Sequence, residues 1–223
     1  MKERIYTIPL TEALDSDCEC LLCRIEKETD EKTVLYFTGP AMMEPDTRTE
    51  INKKGFCRRH YDKMLEADNK LSLALTLQTR LAEVCQRLEG LSNNKKAYRK
   101  KSLSEEYKEL FSSCAACEKV AQRMNDCIDN FVYLLCKEPD FREKFLSSKG
   151  LCMKHFNAVV PLLPAGLAEK VTALQINEIK RMNGEIDKFC LKFDYRSADL
   201  DIENVKDSPS RAAEKLSSAV KLF

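Results

Sequence analysis

Glycine and proline are scarce in this 223-residue chain, at 6 and 7 residues with neither clustered. That argues against an all-β or low-complexity architecture. An excess of charge is missing too. The 37 Lys plus Arg residues balance 36 Asp plus Glu for a net charge of +1, so no general attraction to nucleic acid or to an anionic membrane is expected. No run approaches the roughly 18 apolar residues of a membrane span, and the start Met1-Lys-Glu-Arg-Ile-Tyr-Thr-Ile-Pro-Leu10 lacks the apolar stretch of a secretory signal. Eleven cysteines without such a signal suggest a reducing compartment, and the odd count fits. The expected address is the cytoplasm.

Histidine is nearly absent, with 2 residues. There is no Gly-rich phosphate loop and no nucleophile elbow, and no carboxylate pair stands at a defensible catalytic spacing. Apolar content of 43% and charged content of 33% are ordinary for a helix-rich soluble domain. The sequence therefore leans away from an enzyme without excluding one.

The cysteines and histidines that are present recur in a pattern. Cys20-x-x-Cys23 is followed by Cys57-x-x-His60, and Cys114-x-x-Cys117 by Cys152-x-x-His155. Corresponding residues lie 94 or 95 positions apart. Glu44-Pro-Asp-Thr-Arg48 matches Glu138-Pro-Asp-Phe-Arg142, Gly55-Phe-Cys-Arg-Arg-His-Tyr61 matches Gly150-Leu-Cys-Met-Lys-His-Phe156, and Phe37 matches Phe131. The chain reads as a duplicated helical module with one four-ligand metal site in each copy.

Each copy is expected to be all-α, with about three helices stapled by a Cys3His site. A Cys-x-x-Cys knuckle opens the first helix, Pro45 or Pro139 starts a short second one, and a Gly-led Cys-x-x-His knuckle opens a long third. Gly55 and Gly150 suit a turn that a Cβ would obstruct. Val120, Met124, Cys127, Ile128, Phe131, Leu134 and Leu135 share one helical face. Ala74, Leu77, Leu81, Val84, Leu88 and Leu91 form a 3-4 seam in the long helix of copy one, and Val171, Leu174, Met182, Ile186 and Phe189 form one in copy two, where Pro161 and Pro164 break the chain beforehand. The expected organisation is a first zinc-binding repeat over 1–92, a linker or connecting helix over 93–110, a second repeat over 111–193, and a polar segment with a C-terminal helix over 194–223. Ser208-Pro209 caps that last helix, with Ala212, Leu216, Ala219 and Val220 as its apolar stripe.

Three thiolates and one imidazole make the closed tetrahedral shell of structural zinc, so Cys20, Cys23, Cys57, His60, Cys114, Cys117, Cys152 and His155 are the expected ligands of two zinc ions. Such a site contributes on the order of 10 kcal/mol to folding. An iron–sulfur centre is the minor alternative. Cys18 adds a nearby thiol, but its counterpart is Ser112, so the shared set is four ligands. Cys18 is then a ligand, a reactive thiol or a bystander. Cys85, Cys127, Cys136 and Cys190 read as small core residues. Arg58, Arg59 and Lys154 flank the knuckles, and Arg48 and Arg142 are expected to pair with carboxylates on the helix surface.

Taken together, Cys-x-x-Cys, Glu-Pro-Asp-x-Arg, Gly-Phe-Cys-Arg-Arg-His, the second Gly-Leu-Cys-x-x-His, the start Ile5-Tyr-Thr-Ile-Pro9 and the tail Arg211-Ala-Ala-Glu-Lys-Leu216 resemble a bacterial family known only as a domain of unknown function. The resemblance spans most of the chain and implies bacterial origin but no activity. Some members carry the name ABC-transporter substrate-binding protein, which this sequence does not support. It has neither an export signal nor α/β lobes. Three readings of function stand: a partner-binding or scaffold protein with structural zinc, a zinc- or redox-responsive regulator using Cys18 and the site thiolates, and a nucleic-acid binder through Lys95, Lys96, Arg99, Lys100 and Lys101 around Tyr98. An unknown protein partner fits the first, with nucleic acid and membrane disfavoured.

Overall fold

The structure, a computed structural model, describes residues 3–92, 108, 112–194 and 201–218. Among these residues there are ten α-helices and no strand. The Lys95 to Lys101 cluster, Ala219 and Val220 lie outside the described residues, as does most of 93–110.

The chain forms two compact units, and their limits differ from those of the sequence repeats. One comprises 1–27 with 124–222, the other 28–123. Helix α1 (Glu3–Leu14) buries Leu10, Ala13 and Leu14, one helical stripe, despite an internal Pro9. Helix α2 (Leu21–Phe37) opens inside the first Cys-x-x-Cys, with Cys23 in its first turn, and α3 (Pro45–Lys54) begins on its proline. Proline suits that first turn because its missing N–H has no helical partner to lose.

The Cys-x-x-His knuckle departs from expectation. It opens a short helix, α4 (Arg58–Glu66), and not the long one. The chain breaks at 67–69, and Asn69 Oδ1 accepts the Ser72 N–H at 3.1 Å to start α5 (Lys70–Ser92). The second half follows the same course. Helix α6 (Ala115–Lys137) opens inside the second Cys-x-x-Cys, with Cys117 in its first turn, and α7 (Pro139–Leu146) starts on its proline. The short α8 (Met153–Val159) precedes the break at Pro161 and Pro164, and α9 (Ala165–Leu191) is the long helix. Helix α10 (Ser208–Leu216) is last.

In unit 28–123 the core is Val34, Phe37, Ala41, Ile51, Phe56, Met64 and Leu73 with Cys114, Ala115 and Ala116. Phe37 meets Phe56 edge-on at 5.1 Å. In unit 1–27 with 124–222, Phe131 occupies the corresponding role, edge-on to Phe145 at 5.1 Å and to Phe141 at 5.9 Å. Edge-to-face pairs of this kind add about 1 kcal/mol beyond their burial.

Three expectations about side chains need correcting. Arg142 does not pair with a carboxylate: its Nη1 donates to Leu135 O at 2.9 Å and Cys136 O at 3.2 Å, carbonyls that the end of α6 leaves free. Cys85 and Cys190 are exposed, while Cys127 and Cys136 are half-buried. In α10 the buried residues are Ser208 and Lys215, and Leu216 is 66% exposed.

Candidate metal centres

The eight expected ligands form two groups of four, but not the groups that the repeats suggested. Cys20 and Cys23 converge with Cys152 and His155, and Cys57 and His60 with Cys114 and Cys117. Each group joins the Cys-x-x-Cys of one half to the Cys-x-x-His of the other. The physical reason lies in packing. Gly55 O accepts the Ala115 N–H at 3.0 Å and Lys54 O accepts the Ser113 hydroxyl at 3.0 Å, so the first Cys-x-x-His is bound to the second Cys-x-x-Cys by its own backbone.

Within each group the ligand atoms all lie within 4.8 Å of one another. Around His155 Nδ1, the sulfurs of Cys152, Cys23 and Cys20 stand at 3.3, 3.4 and 3.5 Å, and Cys23 Sγ is 3.4 Å from Cys152 Sγ. Around His60 Nδ1, those of Cys57, Cys114 and Cys117 stand at 3.2, 3.3 and 3.4 Å, with Cys57 and Cys117 sulfurs 3.7 Å apart. A tetrahedral zinc ion with ordinary bond lengths would set nitrogen–sulfur edges of about 3.6 Å and sulfur–sulfur edges of about 3.8 Å. The donor sets fit a single ion of that size.

Local structure aims the knuckles. Gly55 and Gly150 have φ of 67° and 74°, a conformation costly for residues with a Cβ. Both also accept a close neighbour: a Cβ on Gly55 would stand 2.9 Å from Arg80 Nε, and one on Gly150 3.0 Å from Gln175 Oε1. Gln175 uses the space to bind both backbone groups of Leu151, accepting its N–H at 3.1 Å and donating to its carbonyl at 2.8 Å. Arg80 donates to the carbonyls of Asn52 and Lys53 at the end of α3.

A buried carboxylate lies behind each histidine, hydrogen-bonded to the ring at His60 and only close to it at His155. His60 Nε2 lies 2.9 Å from Asp30 Oδ1, and His155 Nε2 lies 3.5 Å from Glu26 Oε2. A carboxylate only accepts, so Asp30 draws the His60 proton to Nε2 and leaves its Nδ1 lone pair facing the thiols, whereas the buried Glu26 Oε2 makes no hydrogen bond among the described residues. The carboxylates are themselves held by cations. Arg59 Nη2 donates to Asp30 Oδ1 at 3.1 Å, Lys63 donates to its other oxygen, and Lys154 Nζ donates to Glu26 Oε1 at 2.6 Å. Burial opposes charge on Asp30, but His60, Lys63 and Arg59 outweigh it and hold its carboxyl below the usual range. Arg58, by contrast, pairs with Asp62 at the surface.

Thiol electrostatics favour a cation. Burial, then the neighbouring sulfurs of Cys152 and Cys23, push the Cys20 thiol well up. Burial and the adjoining Cys114 and Cys57 push the Cys117 thiol up to about 12. Burial also opposes ionising Cys114, but His60 pulls its thiol down to about 6, so one sulfur ionises readily while its neighbours resist following, and a divalent ion at their centre reverses that penalty. With four protein ligands the shell has no open position for water or substrate, the arrangement of structural sites.

The two groups differ in cover. Cys20, Cys23, Cys152 and His155 are all buried, whereas Cys57 and Cys117 are half-buried. Lys215, 1% exposed, donates from α10 to Glu19 O at 2.9 Å and to Lys149 O, bridging the residues that precede the two knuckles of the buried group. Cys18 is not one of the four. Its half-buried thiol donates to Ala13 O at 3.7 Å.

The sequence profile of a family of unknown function, DUF6062, matches residues 1–222. The chain belongs to this family. No curated protein and no solved structure matches it.

In this DUF6062 chain the residues that sequence reasoning missed are Glu26 and Asp30. Both are buried on α2 in phase with Cys23, Val34 and Phe37, so two acids on the apolar face of a helix were the available signal. The matched positions on α6 are Val120 and Met124, and the repeat pattern therefore gave no prompt.

Proposed function

We propose that the protein is a non-enzymatic helical scaffold in which each Cys3His group binds one structural zinc ion and the fixed helical surface binds a protein partner. The observation that carries the metal assignment is the mutual approach of four soft and borderline donors within 4.8 Å, twice. An iron–sulfur cluster would spread its ligands over two or more irons, and so fits this span poorly. With both imidazoles turned to the sulfurs, neither is free as a general base.

Duplication of one module is part of the same reading. Helices α2 and α6 start 94 residues apart, as do α3 and α7, while α4 and α8, and α5 and α9, start 95 apart. Arg59 and Lys154, each just before its histidine, bind the supporting carboxylates. The cytoplasmic assignment rests on cysteine usage. Among the described residues no helix is long and apolar enough to cross a membrane.

Native mass spectrometry of protein purified without added metal tests this reading. It should find two zinc ions per chain. A different metal, or a count other than two, contradicts it.

A second reading, zinc- or oxidant-responsive regulation, is favoured by the half-buried Cys57 and Cys117 more than by Cys18, which is equally half-buried but lies outside both groups. An oxidant titration should then release one metal equivalent well before the other. Simultaneous loss of both speaks for the scaffold alone.

A further inference from the structure

The expected 3-4 seam on α5 divides: Leu77 packs against the core, while Ala74, Leu81 and Leu88 belong to a different, exposed stripe. Leu73, Ser72, Thr76 and Arg80 are the buried side of α5, while Leu71 is 70% exposed, Leu81 67% and Leu88 36%, with Ala74, Gln78 and Cys85 exposed between them. These six positions, 71, 74, 78, 81, 85 and 88, repeat at the alternating three- and four-residue spacing of a coiled-coil seam. They cover about 26 Å of helix. The seam carries no charge, and Leu75, Ala82 and Val84 flank it with further apolar surface. Helix α9, in register with α5, has Gly166, Glu169, Ala173, Ile176, Lys180 and Asn183 at the matching places. The stripe therefore belongs to α5 and is not a general property of the repeat.

We propose that α5 pairs antiparallel with α5 of a second copy of this chain. The spacing calls for a helix as occupant, since knobs at this repeat fit the holes of a like helix. Inverting α5 on itself about the point midway between Leu71 and Leu88 supplies one. Leu71 then stands level with Leu88 of the second copy, small Ala74 with small Cys85, and Gln78 with Leu81. The two Gln78 side chains fall about 4.5 Å apart along the axis, within reach of each other across the dyad. Their amides can satisfy one another there, which an all-apolar partner could not offer, and a polar pair of this kind fixes register. Charge selects the direction. Lys70 and Glu89 close the two ends of the seam, so antiparallel pairing sets unlike charges at the same end and parallel pairing sets like charges there.

This inference names one partner for the surface that the scaffold reading leaves open, and its test reads separately from the metal count. Sedimentation velocity of the full chain between about 1 and 100 µM should show a reversible dimer, in line with an interface at the small end of the stable range. Leu81→Glu should weaken it at least about tenfold, with zinc content and helical content unchanged because that side chain lies outside the core of the chain. Lys70→Glu and Glu89→Lys should each weaken the dimer, and the two together should restore it. A wild-type chain that stays monomeric throughout overturns the proposal, as does a Leu81→Glu variant that dimerises as tightly as wild type. A double charge variant no tighter than the singles overturns the antiparallel register. Loss of zinc with an intact dimer would instead count against the metal assignment alone.

Discussion

Asp30 has no water to face: it is 0% exposed, and its oxygens are taken by His60, Arg59 and Lys63. A carboxylate in that position fixes the imidazole tautomer and raises the basicity of the ligating nitrogen. Asp30→Asn should therefore weaken metal binding at the Cys57, His60, Cys114, Cys117 group by about 10- to 100-fold and leave the other group unchanged. Competition against a chromophoric chelator measures it, and equal affinity in variant and wild type would refute the role. Gly150 is a separate case. At φ 74° with Gln175 Oε1 already in the space of a Cβ, Gly150→Ala should cost about 1–3 kcal/mol. A thermal midpoint within a degree of wild type would contradict that. That these eight side chains would gather in fours was legible at this scale, because Cys-x-x-Cys and Cys-x-x-His carry a convergent geometry in their spacing. The acids behind the histidines were not, because nothing in Glu26 or Asp30 distinguishes them locally from any other helical acid.

At the scale of elements, prolines and knuckles marked most helix starts correctly. Pro45, Pro139, Leu21 and Ala115 all begin helices as the sequence suggests. The ends were harder. Nothing apolar stops α4 after Glu66, and the side chain of Asn69 that starts α5 acts through one hydrogen bond. Helix α10 was misread because a lysine looked like a surface residue. Lys215 is instead the buried anchor, donating to two backbone carbonyls. Lys215→Met keeps the apolar stem and removes the donor, and should cost about 3 kcal/mol. Leu216→Ala, at a side chain 66% exposed, should change stability by less than about 0.5 kcal/mol. Chemical denaturation of the pair checks the assignment. A larger loss in Leu216→Ala would restore the apolar stripe as the packing face.

For the whole molecule, the repeat itself misled about how the ligands combine. Two copies of Cys-x-x-Cys followed by Cys-x-x-His look like two self-contained sites, and the linear order offers no hint otherwise. Which knuckles meet is a matter of long-range packing: Gly55 pairs its carbonyl with Ala115, not with a residue near Cys20. Both units consequently contain residues from both halves of the ligand pattern, with Cys20 and Cys23 in the unit that holds Cys152 and His155. Neither sequence repeat holds a complete ligand group.

Metal counting in two double variants tests that crossing directly. Cys20→Ser with Cys152→Ser strikes one group twice, and native mass spectrometry should find one zinc ion still bound per chain. Cys20→Ser with Cys57→Ser strikes both groups once, and should find none. If the first variant loses both ions and the second keeps one, each repeat holds its own metal and the crossed arrangement is wrong.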